Sequence, residues 1–117
     1  MRILSFSKKW QKLEKDIFTT FRFKRRDADW EVGEVVQVFY KTRTPERELL
    51  GTARITAKEP RWMLNILGSL RGIEAVSDKE AIEDGFESKR AMLNWLTSQH
   101  EGRIQEEPMN KLTLECL

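Results

Sequence analysis

Phe18-Thr19-Thr20-Phe21-Arg22-Phe23-Lys24-Arg25-Arg26 is the stretch on which the reading of this chain turns. An extended backbone sends successive side chains to opposite faces. Phe21 and Phe23 then share one face, and Thr20, Arg22 and Lys24 share the other. The phenylalanines suit a small core. The hydroxyl and the cations, running on into Arg25 and Arg26, suit a polyanion or a polar ligand. One strand is therefore expected to build the fold and to carry the site.

Upstream, Met1 to Ser7 reads as a first strand, too short an apolar run for a secretory signal. Lys8 to Lys15 reads as a short helix, with Trp10 and Leu13 on one side and basic residues on the rest. Downstream, Arg25 to Val32 reads as a polar loop closed at Gly33, where the missing Cβ permits a tight turn. Glu34 to Lys41 is rich in β-branched and aromatic residues, which favours a strand. Thr42 to Glu48 is a solvated connection. In Leu49 to Lys58, Ala53, Ile55 and Ala57 alternate with Arg54, Thr56 and Lys58, the period of a half-buried strand that Pro60 should stop. Trp62 to Ile73 fits neither element. Ser77-Asp78-Lys79-Glu80 is a capping box opening a short helix that ends near Gly85. Ser88 caps a longer helix to about Gln99, with Met92, Trp95 and Leu96 on its apolar face and Gly102 beyond its end. Leu112, Leu114 and Cys116 alternate as a last strand. The order predicts an α+β domain spanning residues 1–117: a small mixed β-barrel, closed by its last strand and covered on one side by helices.

With 117 residues, 34% of them charged, the chain has the makeup of a globular protein able to bury its own core. No run approaches the roughly 20 apolar residues of a membrane span, so no membrane association is expected. One cysteine and one histidine exclude a disulfide and a structural zinc site. Neither metal nor cofactor is expected, and the default compartment is the reducing cytoplasm. The net charge of +2 conceals an asymmetry. Met1 to Trp62 holds 15 Lys and Arg against 9 Asp and Glu, a balance of +6; Met63 to Leu117 holds 6 against 10, a balance of −4. The basic half points towards nucleic acid.

The candidate ligand contacts are Ser7, Lys8, Lys9, Thr20, Arg22, Lys24, Arg25 and Arg26, together with Trp30, Arg61 and Trp62. Arginine grips phosphate through paired hydrogen bonds, and Arg22 lies within a strand. Asp27, Asp29 and Glu31 offer the competing reading, a solvated face of balanced charge. Trp30 and Trp62 stand beside turns near Arg or Lys, where partial exposure would let bases stack on them for about 1–3 kcal/mol each; core packing is the competing reading, and the sequence leaves the two open. Core packing is the reading for Trp10 and Trp95. His100 fits a helix end whose dipole it complements. Cys116 fits a buried, inert thiol. Glu83 and Asp84 could line a cleft as an acid or base, with solvated helix surface as the favoured reading.

Phe6-Ser7-Lys8-Lys9-Trp10, Thr20-Phe21-Arg22, Trp30 to Val38, Gly51 to Ile55 and Glu80 to Ser88, taken in order and spacing, resemble the ASCH domain (activating signal cointegrator homology) of the PUA-like β-barrels. The resemblance covers nearly the whole chain. It implies a PUA-like barrel with a cleft between barrel and helix, and an RNA or nucleotide-like ligand. Some members of the superfamily are amidohydrolases acting on 4-acetylcytidine, and their cleft strand resembles Lys-x-x-Thr-x-Arg. Thr20 and Arg22 match the last two elements, which would make Thr20 the catalytic hydroxyl of a hydrolase. Ile17 holds the lysine position, and an aliphatic side chain cannot activate a hydroxyl; Lys9 or Lys24 would have to stand in. An RNA-binding module is thus the leading expectation and a small hydrolase of a modified nucleoside or RNA the second. A third is a protein adaptor that works through its acidic half.

Overall fold

The computed structural model describes residues 1–8, 10–25, 27–62, 75–100 (His100 by its backbone) and 107–117. Strands β1 (Arg2–Phe6) and β2 (Ile17–Arg22) flank a 3-10 helix at Gln11–Glu14. Strands β3 (Val35–Tyr40) and β4 (Glu48–Arg61) follow, then helices α1 (Asp78–Asp84) and α2 (Lys89–His100), and finally β5 (Met109–Cys116). The fold is α+β, with one mixed sheet in the order β1-β3-β4-β5-β2. Only β1 and β3 run parallel.

Both faces of β2 are covered. Phe18 and Thr20 lie opposite Leu114 and Leu112, and on that inner face Phe18 joins Leu4, Phe6, Val36, Val38, Ala53, Ile55 and the two leucines. Phe21 and Phe23 point the other way, into a second core with Val76, Ala81, Met92, Leu96 and Met109 beneath the helices. The phenylalanine pair therefore packs against α1 and α2, and Thr20 and Arg22 turn towards the sheet's concave side. The sheet curls until Phe6 on one edge strand meets Phe18 on the other, ring centroids 6.3 Å apart. Among the described residues β1 and β2 do not pair, so the expected closure is not seen: the last strand lies inside the sheet, between β4 and β2.

Several boundaries differ from expectation. The basic segment after Ser7 forms only a single turn of 3-10 helix, begun from extended Trp10. β4 runs through Pro60 to Arg61. Beyond Ile55, which still bonds to Gly33 and Glu34, no strand among the described residues pairs with its β3 side, so a missing N–H there costs no ladder bond. A bulge between Ile55 and Ala57 inserts one residue and brings Lys58 opposite Leu112, so a side chain expected outside turns inside. There Lys58 Nζ donates to Asp29 Oδ2 at 3.2 Å and to the Trp30 carbonyl at 2.8 Å. Asn110 donates to the same carboxylate at 2.8 Å. This network seats Trp30, which is only 3% exposed, between the guanidinium groups of Arg2 and Arg25. Trp62 is likewise buried. Of the two readings open for these rings, stacking and core packing, burial favours the second, with Trp30 part of the sheet's inner core. Cys116 departs the other way: it is exposed at the strand's end, past the last inner leucine. The segments 63–74 and 101–106, with Gly102 among them, lie outside the described residues.

Ser77 and Glu80 cap α1 reciprocally, and Gly85 ends it in the left-handed region at φ 112°. A Cβ on Gly85 would meet Trp10 Cε3 at 3.0 Å. Gly85→Ala is expected to cost about 1–3 kcal/mol through backbone strain alone, read as a lower urea midpoint. Arg2, clamped on Glu34, holds that carboxyl below its usual range by hydrogen bonding, against the opposing effect of burial. A depressed folded pKa gives stability that is present above the unfolded value and lost as pH falls through the folded one. Glu34→Gln should therefore lower stability at neutral pH and flatten the loss seen below about pH 4.5, measured as Tm against pH.

Candidate functional site

Strand alternation puts Phe18, Thr20 and Arg22 on the inner face of β2, next to the seam where the sheet fails to close. Arg22 is half-buried, with its guanidinium carbon 4.6 Å from the centroid of the Phe6 ring. Its Nε donates to Thr20 Oγ1 over a long 3.4 Å. Among the described residues no carboxylate lies within ion-pair distance of Arg22, and its terminal nitrogens have no hydrogen-bond acceptor. Burial pushes its pKa down to about 10, with Asp84 working in the opposite sense. It remains charged at neutral pH, at a desolvation cost that the charge of Asp84 only partly offsets.

Two residues outside the predicted set complete the cluster. Lys12, from the 3-10 helix, donates to Asp84 Oδ1 at 2.7 Å, and the two side chains are 4% and 7% exposed. Burial pushes the Lys12 ammonium down and the Asp84 carboxyl up, each opposed by the charge of the other. Asp84 is thus not solvated helix surface, the favoured of its two readings. It is the last residue of α1, and Lys12 precedes it by 72 positions, so no local pattern announces the pair. The ring of Phe6 is common ground: Lys12 Nζ stands 5.6 Å from its centroid. Trp10 packs on Phe86 and Trp95, which fixes the 3-10 helix against α1 and α2. A groove of about 410 Å³ opens between that helix and the end of α1, walled by Trp10, Lys12, Lys15, Ile82, Glu83 and Gly85.

The remaining predicted contacts divide. Ser7 and Lys8 are exposed directly after Phe6, with Lys8 Nζ 4.4 Å from the Trp10 ring centroid. Lys24 is exposed just past β2. Arg25 is committed elsewhere: it sits over Trp30, pairs with Asp27 at 3.3 Å and donates to the Ile3 carbonyl at 3.4 Å. Arg61 donates to Glu80 at 3.1 Å, and Lys111 reaches the same carboxylate at 2.8 Å, so Arg61 serves to fasten β4 to α1. Trp30 and Trp62 offer no open face for stacking. Lys9, Arg26 and the His100 side chain lie outside the described residues. No helix is long and apolar enough to cross a membrane, and among the described residues no group of three or more His, Cys, Asp and Glu could hold a metal.

What the seam offers is a guanidinium with unused donors, a buried hydroxyl beside it and a neutralised Lys–Asp pair behind it. Comparison of the chain with protein-family models, with curated proteins and with solved structures found no match. Geometry and sequence alone therefore carry the functional reading.

Asp84→Ala should destabilise the fold by about 3–5 kcal/mol, because it strands a buried ammonium. The double variant Lys12→Met with Asp84→Leu should recover most of that loss in urea titrations, since it removes the buried charges together.

Proposed function

We propose that this chain is a PUA-like, ASCH-type domain that binds RNA, or a nucleotide-sized ligand, at the seam between β1 and β2. The observation that carries the reading is Arg22, a half-buried guanidinium without a carboxylate partner among the described residues. A desolvated cation held open in this way is stabilised by an incoming anion, and phosphate accepts the paired hydrogen bonds that guanidinium donates. Arg22 is the phosphate contact and Thr20 the hydroxyl donor beside it. Ser7 and Lys8, exposed where the chain leaves Phe6, meet the sugar or base, and Lys24 extends the basic track. The resemblance to the ASCH family, covering nearly the whole chain, supports the same reading, in which the curled sheet is an opened version of the family barrel.

Hydrolysis of a modified nucleoside is the second reading, and Lys12 favours it. The sequence lacks a lysine three positions before Thr20, yet the 3-10 helix brings one to the same cluster, with burial shifting its ammonium towards the neutral amine. Turnover of 4-acetylcytidine that disappears in both Thr20→Val and Lys12→Met would establish it.

For the binding reading, affinity for single-stranded RNA should fall with salt at a log–log slope of about −0.7 per phosphate contact. Arg22→Ala should weaken binding by about tenfold or more and shallow the slope by about one contact. Fluorescence anisotropy at several salt concentrations measures both. An unchanged slope removes Arg22 from the site.

A further inference from the structure

The charge count around the seam bears on which phosphate it takes. Lys12 and Asp84 are in direct contact and cancel. Lys111 and Arg61 are engaged on Glu80, on the helix-facing side of the sheet. Among the described residues that leaves Arg22 as the one charge of the inner cluster without a counter-ion, a net of +1 beside the Phe6 ring. The donors match in number. The Arg22 terminal nitrogens and the Thr20 hydroxyl proton have no acceptor among the described residues, and Thr20 is only 4% exposed. Two non-bridging oxygens of one phosphate group would satisfy them.

We propose that the seam is selective for a singly charged phosphodiester, the internal linkage of a nucleic-acid strand, over the doubly charged monoester of a free nucleotide or a strand end. The inference rests on the anion-binding reading above and narrows it. A diester brings one negative charge to one uncompensated positive charge. A monoester brings a second, for which the part-buried cluster holds no further free cation among the described residues, and Asp84 behind Lys12 repels it. Lys8 and Lys24 are exposed, where water and salt screen their charges. Lys12 cannot turn to neutralise the extra charge without abandoning Asp84 inside the protein. The ion pair therefore acts as a charge filter for the site as well as a fastener of the 3-10 helix. Its carboxylate limits how much negative charge the seam accepts.

The test uses two probes that differ in charge and lack any base: dimethyl phosphate, with one negative charge, and methyl phosphate, with two at pH 8. Each is titrated into the full chain while the Arg22 Nε–H signal is followed by NMR. Dimethyl phosphate is expected to shift that signal and to bind about tenfold more tightly than the dianion. Asp84→Asn, by leaving Lys12 uncompensated, should reverse the order. Because that substitution also disturbs a buried pair, the wild-type comparison decides by itself. Equal or tighter binding of methyl phosphate overturns the proposal, as does an Arg22 signal unmoved by either probe. Failure of the broader reading shows separately, as absence of RNA binding in the salt titration, and a phosphate-responsive Arg22 in a chain that ignores RNA would sink that reading while leaving the diester preference intact.

Discussion

Burial of β2 on both faces is the constraint from which the rest follows. Phe18 packs into the curled sheet, and Phe21 and Phe23 pack under the helices. Each buried ring contributes roughly 1.5–3 kcal/mol. With the strand pinned from two sides, the polar residues sharing the Phe18 face have no solvent to turn to. Thr20 is drawn inside, and Arg22 is left at the margin where the sheet stays open. The placement of Thr20 and Arg22 is thus a by-product of packing an aromatic-rich strand between two cores.

That arrangement needs something to manage the charge it draws in. Lys12 and Asp84 form a direct buried pair at 2.7 Å, and desolvating two such ions costs several kcal/mol that their attraction only partly returns. Stability alone does not favour such a pair over two apolar side chains. What it does give is geometry: it ties the 3-10 helix to the end of α1, beside the stack of Trp10 on Phe86 and Trp95. It also leaves Arg22 as the residual charge. The opposite end of the sheet is treated differently. There Arg2, Arg25 and Lys58 are all matched with Glu34, Asp27 and Asp29 around a buried Trp30. Two basic clusters thus differ: one is closed by matching carboxylates, and the other leaves Arg22 without an ion-pair partner among the described residues.

Much of this was legible in the residues. The strand at Phe18–Lys24, the capping box at Ser77 and the turn at Gly33 rest on local rules of alternation, capping and backbone freedom, and each stands where those rules place it. Arg22 stood out as a candidate because a cation inside an amphipathic strand is unusual in itself. Tryptophan exposure was not legible, since whether a ring beside a turn faces water depends on what the curled sheet leaves uncovered. Lys58 was misplaced for a different reason. A single bulged residue reverses the face of everything after it, and period-2 reading carries no sign of that insertion.

By itself the sequence determined the α+β character, the order of elements, the basic first half and the strand that carries Thr20 and Arg22. These depend on neighbours a few residues away, so local chemistry suffices. Only the tertiary structure decided that β1 and β2 stay unpaired among the described residues, that Arg25, Trp30 and Arg61 serve the fold, and that Lys12 meets Asp84 across 72 residues. Charge pairing and burial are properties of which surfaces come together, and a linear order of residues does not say which cation will find a partner and which will be left without one.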